Sequence, residues 1–163
     1  MNISMNGPLS YPSTDGITKN PRLASALVNS RMNELNSISD YVYFNIILQK
    51  EHPSLAELFE HIAMTEMMHF RILGKMIMSL GGSPAIRTNV VNCNISLPPS
   101  KCDIKRLITS SIASERRAKS DYERLAREAG CDKNAAMLLC RIALDEENHA
   151  KLLASALQNF QIQ

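Results

Sequence analysis

The 163-residue sequence contains no tryptophan, few aromatic residues (5%), six glycines and seven prolines. Hydrophobic residues make up 45% of the chain, but no run approaches the roughly 18 apolar residues that a membrane-spanning helix needs. We therefore expect no membrane association. Residues 1–20 lack the basic start and apolar stretch of a secretory signal, which favours a cytoplasmic location. A chain of this length is expected to form one domain.

The sequence also lacks clusters of one charge and closely spaced cysteines. Lys and Arg (18) are mixed with Asp and Glu (16), which gives a net charge of +2 and no basic patch for nucleic acid. Cys93, Cys102, Cys131 and Cys140 form no Cys-x-x-Cys motif, so a rubredoxin-type or zinc-ribbon site is not expected. We predict four reduced thiols, with redox pairing as the alternative.

Strand signals are nearly absent, and glycine and proline fall between four long stretches with a 3.6-residue apolar period. The sequence therefore predicts an all-α fold. The predicted helices run from Asn20 to before Pro53, from Ser54 to Gly81–Gly82, from Asp103 to Gly130, and from Asp132 to about Phe160.

The spacing of these helices indicates their connectivity. Ser54 and Glu57 match a capping box at the start of the second helix. Residues 82–101 are rich in Asn, Ser and Pro, which is typical of a long crossover rather than a tight turn. Two helical hairpins joined by a crossover form a four-helix bundle, here residues 20–163. Residues 1–19 are predicted to be disordered or extended.

The two halves of the chain resemble each other. The repeated pairs are Glu34 with Tyr41 and Glu115 with Tyr122, and the repeated Glu-x-x-His motifs are Glu66 with His69 and Glu146 with His149. Equivalent residues are 81 or 80 positions apart. A bundle with pseudo-twofold symmetry would bring such residues together around one central axis.

Each predicted helix places acidic or imidazole side chains on its apolar stripe. In the second helix, Phe59, Ile62, Glu66, His69 and Leu73 recur at spacings of three and four. In each of the other three helices, apolar residues recur at similar spacings on both sides of a glutamate: Glu34, Glu115 or Glu146. Four buried carboxylates without counter-charge would cost several kcal/mol each, too much for the roughly 5–15 kcal/mol stability of a domain.

We infer that two divalent cations lie between these carboxylates. The predicted ligands are Glu34, Glu66, His69, Glu115, Glu146 and His149. The i, i+3 spacing lets both side chains of a Glu-x-x-His turn reach one ion. Carboxylate and imidazole without thiolate suit iron or manganese, and zinc stays open as an alternative.

Three further residues on or beside the stripes have two interpretations each. Tyr41 and Tyr122 either donate hydrogen bonds to ligand carboxylates or are buried tyrosines with some other acceptor. Asp145 either orients a ligand imidazole or lies at a solvated rim. His52 and His61 lie off the stripes and are expected to be ordinary surface residues.

On these motifs, the sequence resembles the ferritin-like superfamily, in which two helices each give a Glu and two each give a Glu-x-x-His. The site motifs look like those of bacterioferritin, and the layout is similar to rubrerythrin-type domains. The resemblance implies that Glu66 and Glu146 bridge two irons. It pairs Glu34 with His69 on one iron and Glu115 with His149 on the other.

The sequence departs from these relatives at several points. Ala118 replaces an additional glutamate of rubrerythrin, and no rubredoxin-like site is present. The chain stops soon after the fourth helix, where cage-forming ferritins continue into a fifth, so a cage is not expected and a homodimer is compatible with the sequence. Met67 corresponds to the haem-ligating methionine of bacterioferritin, but haem is not expected in this methionine-rich helix.

The resemblance implies a diiron redox protein that oxidises Fe(II) with hydrogen peroxide or dioxygen. Such a ferroxidase or peroxidase-like oxidoreductase would act in iron handling or oxidative-stress defence, with an electron donor that the sequence does not identify. One histidine per iron is the pattern of bacterioferritin-type centres, so the resemblance also implies that peroxide is the faster oxidant. The alternative is a non-catalytic protein that binds or sequesters metal.

Overall fold

A computed structural model of the chain describes residues 10–86 and 101–162, with side chains for residues 10–86 and 103–160. Four helices account for most of it: α1 (Pro21–Leu48), α2 (Pro53–Ser79), α3 (Lys101–Glu128) and α4 (Lys133–Ile162). These two ranges contain no strand. The predicted all-α fold is confirmed.

Side chains and glycines set the helix ends largely where the sequence predicts them. The Asn20 side chain accepts a hydrogen bond from the Leu23 amide at 3.0 Å, and Pro21 occupies the first helical position. Asp132 caps α4 by accepting from the Ala135 amide, also at 3.0 Å. Gly81 follows α2 with a φ of 86°, a conformation that glycine adopts without steric cost.

The predicted capping box at the start of α2 is wrong. The helix begins at Pro53, so His52 is the N-cap residue, and its side chain makes no capping hydrogen bond. Proline has no N–H and a φ already suited to a helix, which favours it as the first helical residue. Ser54 therefore lies inside the first turn rather than at the N-cap, where a capping box would need it.

Two other helix bounds differ by two residues, a common margin at helix ends. Helix α3 begins at Lys101 rather than Asp103, and α4 continues to Ile162 rather than ending near Phe160. Residues 82–86 are not helical. The rest of the predicted crossover, residues 87–100, lies outside the described residues.

The helices pack as two hairpins, α1 with α2 and α3 with α4, and α2 also contacts α4. Apolar side chains form two separate clusters. One joins the start of α1 and the end of α2 to the end of α3 and the start of α4. The second lies at the opposite end of the bundle, around Phe59 and Ile108. The middle of the bundle, between these clusters, is left for polar side chains.

The residues before α1 pack along the bundle. Ile17 is buried in the first apolar cluster. The backbone N–H and hydroxyl of Thr18 donate to Asp132 Oδ2 at 2.7 and 2.8 Å, and the Asn134 amide donates to the Asp15 carbonyl at 3.0 Å. Residues 10–19, called the N-terminal segment below, are thus attached to the start of α4. None of the described helices combines the length and apolar character needed to cross a membrane.

Candidate metal centre

Six ionisable side chains meet in the middle of the bundle: Glu34, Glu66, His69, Glu115, Glu146 and His149. Each is at most 4% exposed. They are the six residues that the repeated sequence motifs single out. Four helices supply them because each places its polar residues on the stripe that otherwise carries core side chains.

The first group of side chains surrounds His69. Its Nδ1 atom lies 3.0 Å from Glu66 Oε2, 3.1 Å from Glu146 Oε1 and 3.8 Å from Glu34 Oε2. One ligand atom from each of the four residues can be chosen so that all lie within 4.8 Å of one another. We call these four residues the His69 group.

The second group is arranged in the same way around His149. Its Nδ1 atom lies 3.0 Å from Glu66 Oε1, 3.3 Å from Glu146 Oε2 and 3.4 Å from Glu115 Oε2. These four residues, the His149 group, also offer ligand atoms within 4.8 Å of one another. Glu66 and Glu146 belong to both groups, and each turns one carboxylate oxygen toward each histidine.

Among the residues that the structure describes, three buried polar atoms of these groups have no hydrogen-bond partner: Glu66 Oε1, Glu146 Oε1 and His149 Nδ1. His149 Nδ1 and Glu66 Oε1 are close enough but are not oriented as a hydrogen bond. Unpaired buried polar atoms are costly and rare. His69 Nδ1 and Glu66 Oε2 are hydrogen-bonded to each other, but each group keeps at least one of these unpaired oxygen or nitrogen atoms among its clustered donors, so the residues fit a metal ion in each group.

Two tyrosines bind Glu34 and Glu115, which each belong to one group only and are called the outer glutamates. The Tyr122 hydroxyl of α3 donates a hydrogen bond to Glu34 Oε1 of α1, and the Tyr41 hydroxyl of α1 donates to Glu115 Oε1 of α3. Burial raises the pKa of both phenols, which keeps them protonated as donors. The structure therefore contains both hydrogen bonds that the sequence suggested. Each tyrosine reaches the glutamate on the other helix.

Asp145 lies behind His69 and is 4% exposed, so it is not at a solvated rim. Its Oδ2 atom is 3.3 Å from His69 Nε2 and accepts a hydrogen bond from the Tyr11 hydroxyl at 3.0 Å. Arg141 donates to Oδ1. Sequence reasoning missed Tyr11 and Arg141. Arg141 could have been found, because it lies four residues before Asp145 on the same helix face, but nothing periodic marks Tyr11.

Without an ion, protons balance the charge of this centre. Burial raises the pKa of Glu34 well above its usual range and that of Glu115 to about 8, and the neighbouring Glu66 carboxylate adds to both shifts. Burial alone would lower the pKa of His69 and His149, but the facing carboxylates raise both. Metal ions and protons would therefore compete for the same side chains.

A cavity of about 380 Å³ extends from the four glutamates between α1 and α3. Its outer lining is mainly polar and includes Asn33 and Asp40 from α1, and Ser114 and Asp121 from α3. These four side chains are exposed. The cavity thus connects the carboxylate side of the centre with the polar surface of the bundle.

The remaining histidines and the described cysteines lie outside both groups. His52 is partly buried beside Phe160, with ring centroids 5.2 Å apart. The His61 backbone carbonyl accepts a hydrogen bond from Thr65. Cys131 and Cys140 are exposed free thiols, as predicted. Cys93 and the Cys102 side chain lie outside the described residues.

Comparison with known proteins supports the fold. A solved structure of a dodecameric thioferritin, the bacterioferritin-related protein from Bacteroides fragilis, superposes with a TM-score of 0.70 at 19% identity, covering 90% of each chain. No match is found among curated protein sequences. The sequence profile of the ferritin-like domain matches residues 25–162, the whole bundle except its first few residues. The chain belongs to the ferritin-like family.

Proposed function

We propose that the chain binds two iron ions and oxidises Fe(II) with hydrogen peroxide or dioxygen, as a ferroxidase or peroxidase-like oxidoreductase. The observation that carries this proposal is the sharing of Glu66 and Glu146 between the two buried groups. Each of these carboxylates turns one oxygen toward each histidine, as a bridge between two ions requires. Glu34 would complete the first ion's ligands, and Glu115 the second's.

The charge and chemistry of the ligands support a pair of divalent cations. Two such ions carry a charge of +4, which balances four carboxylates and leaves the imidazoles as neutral ligands. Oxygen and nitrogen donors without thiolate suit iron and manganese, and zinc would also fit. When bound, two irons can each release one electron, which matches the two-electron reduction of peroxide.

The surrounding residues support turnover rather than a purely structural role for the metal. The cavity between α1 and α3 gives small polar reactants a route to the carboxylates. Asp40 and Asp121 at its outer part would attract cations. Tyr41 and Tyr122 hold the outer glutamates in place while reactants enter. An external reductant would have to return the irons to Fe(II) for a peroxidase cycle.

We propose that peroxide is the faster oxidant, because each ion would have one histidine, as in the bacterioferritin-type centres that the sequence resembles and that prefer peroxide. The balanced reaction converts two Fe(II), one H₂O₂ and two protons into two Fe(III) and two waters. Protein loaded anaerobically with Fe(II) would be mixed with one equivalent of either oxidant while ferric absorbance is followed. Faster oxidation by peroxide supports the proposal, and a tenfold advantage for dioxygen would replace it with an oxygen-dependent ferroxidase.

A matched control separates catalysis from simple binding. Glu66→Gln keeps the size of the side chain but removes the charge of a shared ligand, so it should oxidise Fe(II) no faster than the free ion is oxidised. If the unmodified protein also oxidises Fe(II) no faster than this variant, yet retains metal, the chain is a non-catalytic protein for binding or sequestering metal.

A further inference from the structure

The two histidines of the centre have different surroundings. The internal repeat equates Asp145, which contacts His69, with Thr65 in the other half of the chain. Thr65 is buried, and its hydroxyl donates to the His61 carbonyl of its own helix at 3.2 Å. A threonine used in this way supplies no carboxylate. The ligand types are thus duplicated, whereas in the described part of the chain the carboxylate behind His69 has no counterpart at Thr65.

Tyr11 completes the support behind His69. Its hydroxyl donates to the same Asp145 oxygen that lies near His69 Nε2. Its ring also packs edge-to-face on the imidazole, with centroids 5.9 Å apart and planes at 87°. The Arg141 guanidinium lies 5.2 Å from the centre of the Tyr11 ring. Tyr11 therefore contacts the imidazole directly and through the carboxylate.

Asp145 and Tyr11 are also held on their other sides. Arg141 donates a hydrogen bond to Oδ1, the second carboxylate oxygen of Asp145. The N-terminal segment keeps the tyrosine in place through buried Ile17 and the hydrogen bonds of Thr18.

We propose that Tyr11 is a positioning residue that fixes His69 through Asp145, so that the His69 group binds its metal ion more tightly than the His149 group does. The inference rests on the proposed dinuclear site. Outer hydrogen-bond partners of ligating histidines typically change metal affinity by about 10–100-fold when removed. The fixed orientation of His69 also reduces the side-chain freedom that is lost when the ion binds.

Titration with Co(II) tests the inference without any catalytic step. Calorimetry and the visible absorption of bound Co(II) should show two steps, the first about 10–100-fold tighter than the second. Tyr11→Phe keeps the ring but loses the hydroxyl, and should weaken the first step with little effect on the second. Asp145→Asn should weaken the first step more. Tyr43→Phe, a half-exposed tyrosine outside the centre, should leave both steps unchanged.

Two results would overturn the inference while leaving the dinuclear site intact. One is binding of two Co(II) ions with equal affinity by the unmodified protein. The other is an equal loss of both affinities in Tyr11→Phe, which would indicate a general effect on the bundle. Binding of fewer than two ions by the unmodified protein would instead remove the dinuclear site and this inference together. Urea unfolding of each variant checks that the bundle remains folded.

Discussion

The His69 and His149 groups are built from the same residue types but are held differently. In both, a histidine Nδ1 faces Glu66, Glu146 and one outer glutamate, and a tyrosine from the opposite helix holds that outer glutamate. Behind the imidazole, however, only the His69 group has the buried Asp145, at least among the described residues. A repeat can therefore preserve direct contacts while residues one layer further out diverge.

The two groups share two of their glutamates, and each group has one further glutamate of its own. Glu66 and Glu146 belong to both groups, so they would couple the two proposed metal positions. Glu34 and Glu115 each belong to one group. Substitutions at shared and unshared glutamates should therefore separate effects on the whole centre from effects on one half of it.

The largest expected effect comes from the shared glutamates. Glu66→Gln and Glu146→Gln each remove a charge that would face both proposed ions, so both metal affinities should fall by more than the roughly 10–100-fold typical of an outer partner. Glu34→Gln should affect mainly the His69 group, and Glu115→Gln mainly the His149 group. Calorimetric titration with Co(II) measures each step. Equal losses from all four variants would break the distinction between shared and unshared ligands.

A second prediction concerns the stability of the metal-free protein. Glu34, Glu115, His69 and His149 all have a folded-state pKa above the unfolded value. Each stabilises the fold while protonated, and that contribution is lost as the pH rises through the raised pKa. With the pKa of Glu115 at about 8, the free energy of unfolding should fall between about pH 6 and pH 9.

For the metal-loaded protein, the free energy of unfolding should instead rise between about pH 6 and pH 9, because metal binds the deprotonated ligands. Urea unfolding of chelated and metal-loaded protein at several pH values measures both trends. Metal-free protein whose stability is constant or rises from pH 6 to pH 9 would show that these four groups are not jointly buried and protonated.

The smallest effect should come from making the two halves more alike. Thr65→Asp introduces a carboxylate at the position that the repeat equates with Asp145. We expect it to tighten the second Co(II) step by up to about tenfold and so reduce the gap between the two steps. Thr65→Asn introduces a side chain of the same size as aspartate but without its charge, so it should not tighten the second Co(II) step. If both variants act alike, the charge behind the histidine does not distinguish the two groups.

Much of this arrangement can be predicted from the sequence because it depends on local periodicity. The spacing of Phe59, Ile62, Glu66 and His69 determines which side of α2 faces the core once the helix forms. Pro21 and Asp132 mark helix starts by local backbone chemistry. The repeat then brings the six polar residues of four helices to one level of the bundle.

Contacts that depend on nonlocal packing could not be predicted in this way. Tyr11 lies in a segment without periodicity, and its contact with Asp145 joins residues 134 positions apart. The cavity between α1 and α3 arises because these helices pack mainly against their hairpin partners. The capping box failed for a local reason, since Pro53 competes with Ser54 for the start of the helix.

The central claim is that Glu66 and Glu146 lie between two metal positions in one chain. Anaerobic titration with Fe(II), followed by removal of loosely bound metal and elemental analysis, tests it most directly. The proposed geometry predicts a plateau at two irons per chain in the unmodified protein and a loss of both in Glu66→Gln. A stable plateau at one iron per chain would contradict the dinuclear centre.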